Sequence, residues 1–165
     1  DLDREVPLGE RGELLVKGPQ VFDGYRGMPE ETAASFHDGW FLTGDVVTMD
    51  DKGFITIVDR IKEVIITGGF NVYPSEVEAV LRLHPGVRDA AVVGVMRPES
   101  GSEEVVAGIV LDPEAQLDPQ AIHDHARESL TAYKVPRRYV VLDELPVNAM
   151  GKVLRREVVR EIRGR

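Results

Sequence analysis

No cysteine occurs among the 165 residues, and that one absence excludes disulfides, thiolate metal sites and cysteine nucleophiles together. Long apolar runs and a signal-like start are also missing. Nothing therefore argues for membrane insertion or export, and the expectation is a cytoplasmic chain. Positive charge is in short supply: 20 Lys and Arg stand against 29 Asp and Glu, a net charge of -9, which disfavours general nucleic-acid binding. There is no GxxxxGK[ST] phosphate loop, no recognisable Ser-His-Asp set, no internal repeat and no low-complexity tract.

What is present suits one domain or two small ones, since 42% of the residues are hydrophobic and can form a core. The acid excess is uneven. Residues 1–59 carry 13 acids and 5 bases, whereas residues 60–165 carry 16 and 15. Up to about Asp59 the signals are strands and turns. Gly12–Gly18 is a strand bounded by glycines, Pro29–Phe36 a short helix with acids in its first turn, and Val46–Met49 with Phe54–Val58 a hairpin about Asp50-Asp51-Lys52-Gly53. Beyond, the pattern alternates. Ser75–Leu83 is a helix with Val77, Val80 and Leu81 on one stripe, followed by apolar strands at Ala90–Met96 and Glu104–Leu111. Asp118-Pro119 starts a helix facing inward with Ile122, Ala126, Leu130 and Tyr133; Tyr139–Leu142 is a strand, and Val153–Arg163 a last helix with Val158, Val159 and Ile162 inward. The expected fold is α+β, a β-rich segment followed by a small mixed α/β domain.

The chain is organised around DRIKEVIITGGFNVYPSEVE, residues 59–78. Val64, Ile65, Ile66 and Thr67 favour a pleated surface, Gly68-Gly69 a sharp turn, and Ser75 with Glu78 has the spacing of a capping box beside Pro74. With GELLVKGPQVFDGY (residues 12–25), GWFLTGD (residues 39–45) and NAMGKVLRR (residues 148–156), this ordered set resembles the C-terminal third of the acyl-adenylate-forming family, which comprises acyl-CoA synthetases, luciferases and peptide-synthetase adenylation domains. The DRxK…GGFNVYPSEVE form looks like an acyl-CoA ligase. The resemblance implies that residues 1–59 are the β-rich tail of a large domain, residues 60–62 a hinge and residues 63–165 a mobile lid.

Each candidate residue has a plainer alternative. Asp45 can accept two hydrogen bonds from vicinal hydroxyls, and by resemblance it binds the nucleotide ribose; a turn aspartate capping its own backbone has the same signature. Arg60 is similar to the family's nucleotide-reaching arginine, its fork suited to paired oxygens, but a local partner such as Asp59 would serve it as well. Lys62 matches the family's pivot and otherwise reads as a solvated strand-edge lysine. Gly68 and Gly69 would lie beside the channel for the CoA thiol; an ordinary hairpin turn also needs them. Lys152 matches the catalytic lysine, able to bridge substrate carboxylate and α-phosphate, where the bland reading is a loop lysine serving solubility. Arg155, Arg156, Arg160, Arg163 and Arg165 alternate with Glu157 and Glu161 and read as a solvated face. His123 and His125 do not share a helix face, His37 and His84 stand alone, and no metal site is expected in this chain.

The resemblance further implies a two-step reaction. A carboxylic acid and MgATP give acyl-adenylate and pyrophosphate, and the CoA thiol then displaces AMP. ATP and CoA are thus substrates, Mg²⁺ arrives with ATP, and its protein ligand, the acyl pocket and the phosphate loop are expected upstream of Asp1 in a missing N-terminal domain. Alternatives are an adenylation domain feeding a carrier protein, or a non-catalytic domain recognised by a lysine acetyltransferase at Lys152.

Overall fold

The computed structural model describes residues 4–98, 101–116 and 118–164. The chain divides into two compact units, the first running to Lys62 and the second starting at Glu63.

In the first unit β1 (Gly12–Val16) is followed by α1 (Pro29–Ala34), β2 (Phe36–His37), β3 (Trp40–Met49) and β4 (Ile55–Arg60). One long strand, β3, carries the sheet: β1 pairs antiparallel along one edge, and β2 and β4 share the other. The sequence separates FLTGD from Val46–Met49, but the backbone runs through both as a single strand. Phe36 leaves the expected helix for β2, where its ring lies 5.5 Å from Phe41 and 5.9 Å from Phe22. The turn between β3 and β4 is held by Asp50, whose Oδ1 accepts from the Lys52 and Phe54 amides at 3.0 and 2.8 Å, and Gly53 takes the left-handed φ of 81° that the turn requires.

A 3₁₀ turn, Ile61–Glu63, leads into the second unit. There β5 (Ile65–Thr67) and β6 (Phe70–Val72) form a two-stranded ribbon, and α2 (Pro74–Leu81) precedes β7 (Val87–Met96), β8 (Glu103–Leu111), α3 (Pro119–Ser129), β9 (Arg138–Val141) and α4 (Arg155–Gly164). The main sheet has the order β7-β8-β9, antiparallel between β7 and β8 and parallel between β8 and β9. Strand periodicity sorts its residues onto two faces. Ala90, Val92, Val105, Ala107 and Ile109 pack with the ribbon, α2 and α3, while Ala91, Val93, Val106 and Val110 pack with Val158 and Ile162 of α4. Covering on both faces explains why β7 and β8 read as continuous apolar runs. Gly108 lets the second face close, because a Cβ there would meet Leu142 Cδ1 at 2.8 Å.

Three local expectations change. Asp118 caps α3 as expected, accepting from the Gln120 and Ala121 amides, but the helix ends at Ser129, so Tyr133 lies outside it and stacks on Phe70 with centroids 4.6 Å apart. On α4, Val158 and Ile162 are buried but Val159 only partly. On α2 there is no capping box: the helix opens on Pro74, Tyr73 is the N-cap without a side-chain cap bond, and Glu78 turns inward instead. Glu78 is 5% exposed, accepts the Val92 amide at 2.8 Å and is ion-paired with Arg155 of α4. Breaking a buried pair by removing one member leaves an uncompensated charge and typically costs about 3–5 kcal/mol. Glu78→Ala should therefore destabilise the second unit by about 3 kcal/mol, the lower end because Arg155 keeps other acceptors. Urea unfolding followed by far-UV circular dichroism measures this, Trp40 being in the first unit and the only tryptophan. A loss below about 1 kcal/mol would return Glu78 to an ordinary surface role.

Candidate functional site

In the first unit the candidate residues Asp45 and Arg60 are cross-strand partners in the β3–β4 register. The Arg60 guanidinium Nε lies 2.7 Å from Asp45 Oδ1. Arg60 Nη1 also donates to the Thr43 carbonyl at 3.4 Å, while the Arg60 amide, not its side chain, donates to Asp59 Oδ1. Arg60 thus has a local acid, but it is Asp45. The backbone beneath them is kinked and held. Gly44 has φ of 69° and donates its amide to Glu13 Oε1 at 3.1 Å. Thr43 Oγ1 donates to the Leu14 carbonyl and accepts the Asp45 amide, and the strand register shifts between Val46 and Val47. Asp45 is therefore a strand residue presented at a bulge, not a turn aspartate capping itself.

Lys62 occupies the middle of the 3₁₀ turn and is exposed. In the second unit Gly68 and Gly69 connect β5 to β6 with φ of 57° and 82°, both left-handed as two-residue hairpins favour. A Cβ at Gly69 would meet nothing within 4 Å, and one at Gly68 only Phe70 at 4.0 Å. Conformation, not space within the unit, demands glycine here.

Lys152 sits on a short hairpin. The Asn148 and Lys152 main chains are linked by a 2.9 Å bond, and Asn148 Oδ1 accepts from the Met150 and Lys152 amides, each at 2.9 Å. Gly151 takes φ of 78°, Val147 and Val153 form a bridge, and the Leu154 amide donates to the Pro146 carbonyl at 2.8 Å. The backbone is pinned while the Lys152 side chain is 57% exposed, with Nζ 3.8 Å from Glu63 Oε1.

Sequence reasoning missed the cluster behind this hairpin. Arg155, read as part of a solvated face, is half-buried: its Nε donates to Glu63 Oε2 at 3.0 Å, and its Nη1 donates to Glu78 Oε1 and to the Val92 carbonyl at 2.9 Å. Burial alone would lower its pKa, but hydrogen bonds and charges from Glu78 and Glu63 outweigh burial and hold the guanidinium above its ordinary value. The signals available were Glu63 next to Lys62 and Glu78 on the apolar side of α2, but nothing local says that one arginine, 92 and 77 residues on, answers both. Likewise His84 and His125 meet edge to face at 5.4 Å, with His125 Nε2 3.0 Å from the Val80 carbonyl. Among the described residues no three His, Cys, Asp or Glu gather in a way that could hold a metal ion.

Residues 76–152 match the model of the AMP-binding enzyme C-terminal domain. Over all 165 residues the chain is 47% identical to a long-chain-fatty-acid–CoA ligase of Escherichia coli O6:H1, spanning 29% of that relative. It superposes on ATP-bound MatB from Rhodopseudomonas palustris with a TM-score of 0.88, at 40% identity over 96% of this chain and 31% of that one. The amide bond synthetase McbA from Marinactinospora thermotolerans gives 0.86 and 40%, over 98% of this chain and 33% of its own.

The glycine ribbon yields a direct expectation. Gly69→Ala should destabilise by about 1 kcal/mol, the cost of a left-handed L-residue, and Gly69→Asn by less, because asparagine tolerates that region. Thermal unfolding ranks the two. If asparagine costs more than alanine, side-chain volume and not φ is what the position restricts.

Proposed function

Because the chain belongs to the acyl-adenylate-forming family and corresponds to the C-terminal portion of its AMP-forming CoA ligases, we propose that it serves a longer ligase that activates a carboxylic acid with ATP and passes the acyl group to CoA. In the first step a carboxylate oxygen attacks the α-phosphorus, and pyrophosphate leaves. In the second the CoA sulfur attacks the acyl carbon, and AMP leaves. Magnesium enters with ATP as part of the substrate, and no residue of this chain is assigned to it.

The observation that carries this reading is the Lys152 hairpin. Its main chain is clamped by Asn148, yet its ammonium is exposed, with a long contact to Glu63 at 3.8 Å. A cation delivered on a fixed backbone stabilises charge growing on phosphate oxygens without reorganising first. Asp45, held at a bulge by Arg60, has the acceptor oxygens for a ribose diol, and Arg60 would present its remaining donors to the nucleotide. Lys62 serves as the pivot, and the Gly68-Gly69 turn flanks the path of the thiol. Its open surroundings within the unit suit the close passage of a thin chain. A CoA acceptor is supported by the CoA ligases among the relatives; the amide bond synthetase keeps a different acceptor in view. The relatives named above lend no support to a lysine acetyltransferase partner for Lys152. No described helix is long and apolar enough to cross a membrane, and a cytoplasmic location is part of the proposal.

Lys152→Ala tests the assignment. The substitution removes an exposed cation, so stability should hardly change. Loss of a transition-state contact of about 3–4 kcal/mol should slow adenylation about 10²–10³-fold. Thioester formation from pre-made acyl-adenylate and CoA should stay near normal. Unimpaired pyrophosphate release would remove Lys152 from the chemistry, and equal loss in both half-reactions would make it a structural residue.

A further inference from the structure

We propose that Glu63 is a positioning residue for Lys152, fixing the base of the lysine hairpin through Arg155 with one carboxylate oxygen and loosely restraining the ammonium with the other. This rests on the catalytic assignment of Lys152. Glu63 Oε2 accepts from Arg155 Nε at 3.0 Å, while Oε1 faces Lys152 Nζ at 3.8 Å. The two contacts differ in kind. Glu63 and Arg155 are each 18% exposed and share a charge-assisted hydrogen bond, whereas the lysine is 57% exposed and beyond hydrogen-bond reach. The first contact holds. The second contributes little and yields readily to a phosphate oxygen.

The hairpin's entry and exit are tied to each other by Leu154 and Pro146, and Arg155 follows at once, planted on Glu63, Glu78 and the Val92 carbonyl. Glu63 is also the first residue of the second unit, directly after Lys62. If the unit turns at Lys62, as in the proposed function, the hairpin moves with the residue that anchors it, and the lysine arrives at an orientation set from the residue next to Lys62. The error that matters is small, because a displacement of about 1 Å at a reacting centre can cost about 10²-fold in rate.

The test is a double-mutant cycle in the full-length ligase that carries this chain, with adenylation read as pyrophosphate release and the second step as thioester formed from pre-made acyl-adenylate. Glu63→Ala should slow adenylation about tenfold when Lys152 is present and less than about twofold in the Lys152→Ala background, leaving the second step within about twofold. Glu63→Gln, which keeps an acceptor for Arg155, should recover most of the loss. If Glu63→Ala does not fold, Arg155→Lys, which retains the cation with fewer donors, should show the same dependence on Lys152. Equal losses in both backgrounds, or no loss beside an intact Lys152, overturn the proposal alone. A Lys152→Ala enzyme that adenylates normally overturns the assignment beneath it, and the proposal with it.

Discussion

A guanidinium taken out of water must find acceptors for its donors, or folding fails locally. Arg155 finds them in Glu63, Glu78 and the Val92 carbonyl, and those partners come from the start of the second unit, from α2 and from β7. Desolvating an ion costs several kcal/mol, recovered only when geometry is good and the remaining hydrogen-bond capacity is filled. Such a cluster adds modest net stability but tolerates few alternatives. It fixes where α4 begins relative to the sheet, and so where the preceding hairpin stands. Hydrophobic packing of Val158 and Ile162 seats the body of the helix, while the ion pair sets its register.

Much of the architecture was legible because its causes are local. Asp50 to Gly53 has the residues of a tight turn and forms one; Asp118-Pro119 starts a helix; continuous apolar runs in β7 and β8 anticipate a sheet covered on at least one face, and both faces are covered. Motifs also carried weight, since GWFLTGD and DRIKE meet in space as the Asp45–Arg60 pair. The failures share one cause. Ser75 and Glu78 fit a capping pattern, and the α4 arginines fit a solvated face, as long as only neighbours in sequence are considered. Glu78 and Arg155 prefer each other across 77 residues, and that preference outweighs a cap worth about 1 kcal/mol. Tyr133 was misassigned for a similar reason: α3 ends early because Leu130 turns into the core and frees Tyr133 to stack on Phe70.

On the proposed reading the second unit has two tasks, and its two functional features are far apart in sequence. Lys152 lies on the hairpin before α4, and Gly68-Gly69 lies at the tip of the ribbon. Serving successive steps at one reaction centre requires that the unit turn between them. On the same reading the turning point is Lys62, which is exposed and lies in a short 3₁₀ turn at the boundary of the units.

The most direct measurement of this claim is the pair of half-reaction rates of Lys62→Pro in the full-length ligase. Proline fixes φ near about −65° and removes an amide donor, which restrains rotation without touching Lys152 or the glycine ribbon. Two orientations of one unit predict that one half-reaction survives, adenylation, while thioester formation from pre-made acyl-adenylate falls. Equal loss of both rates, or two unaffected rates, would contradict a unit that turns at Lys62.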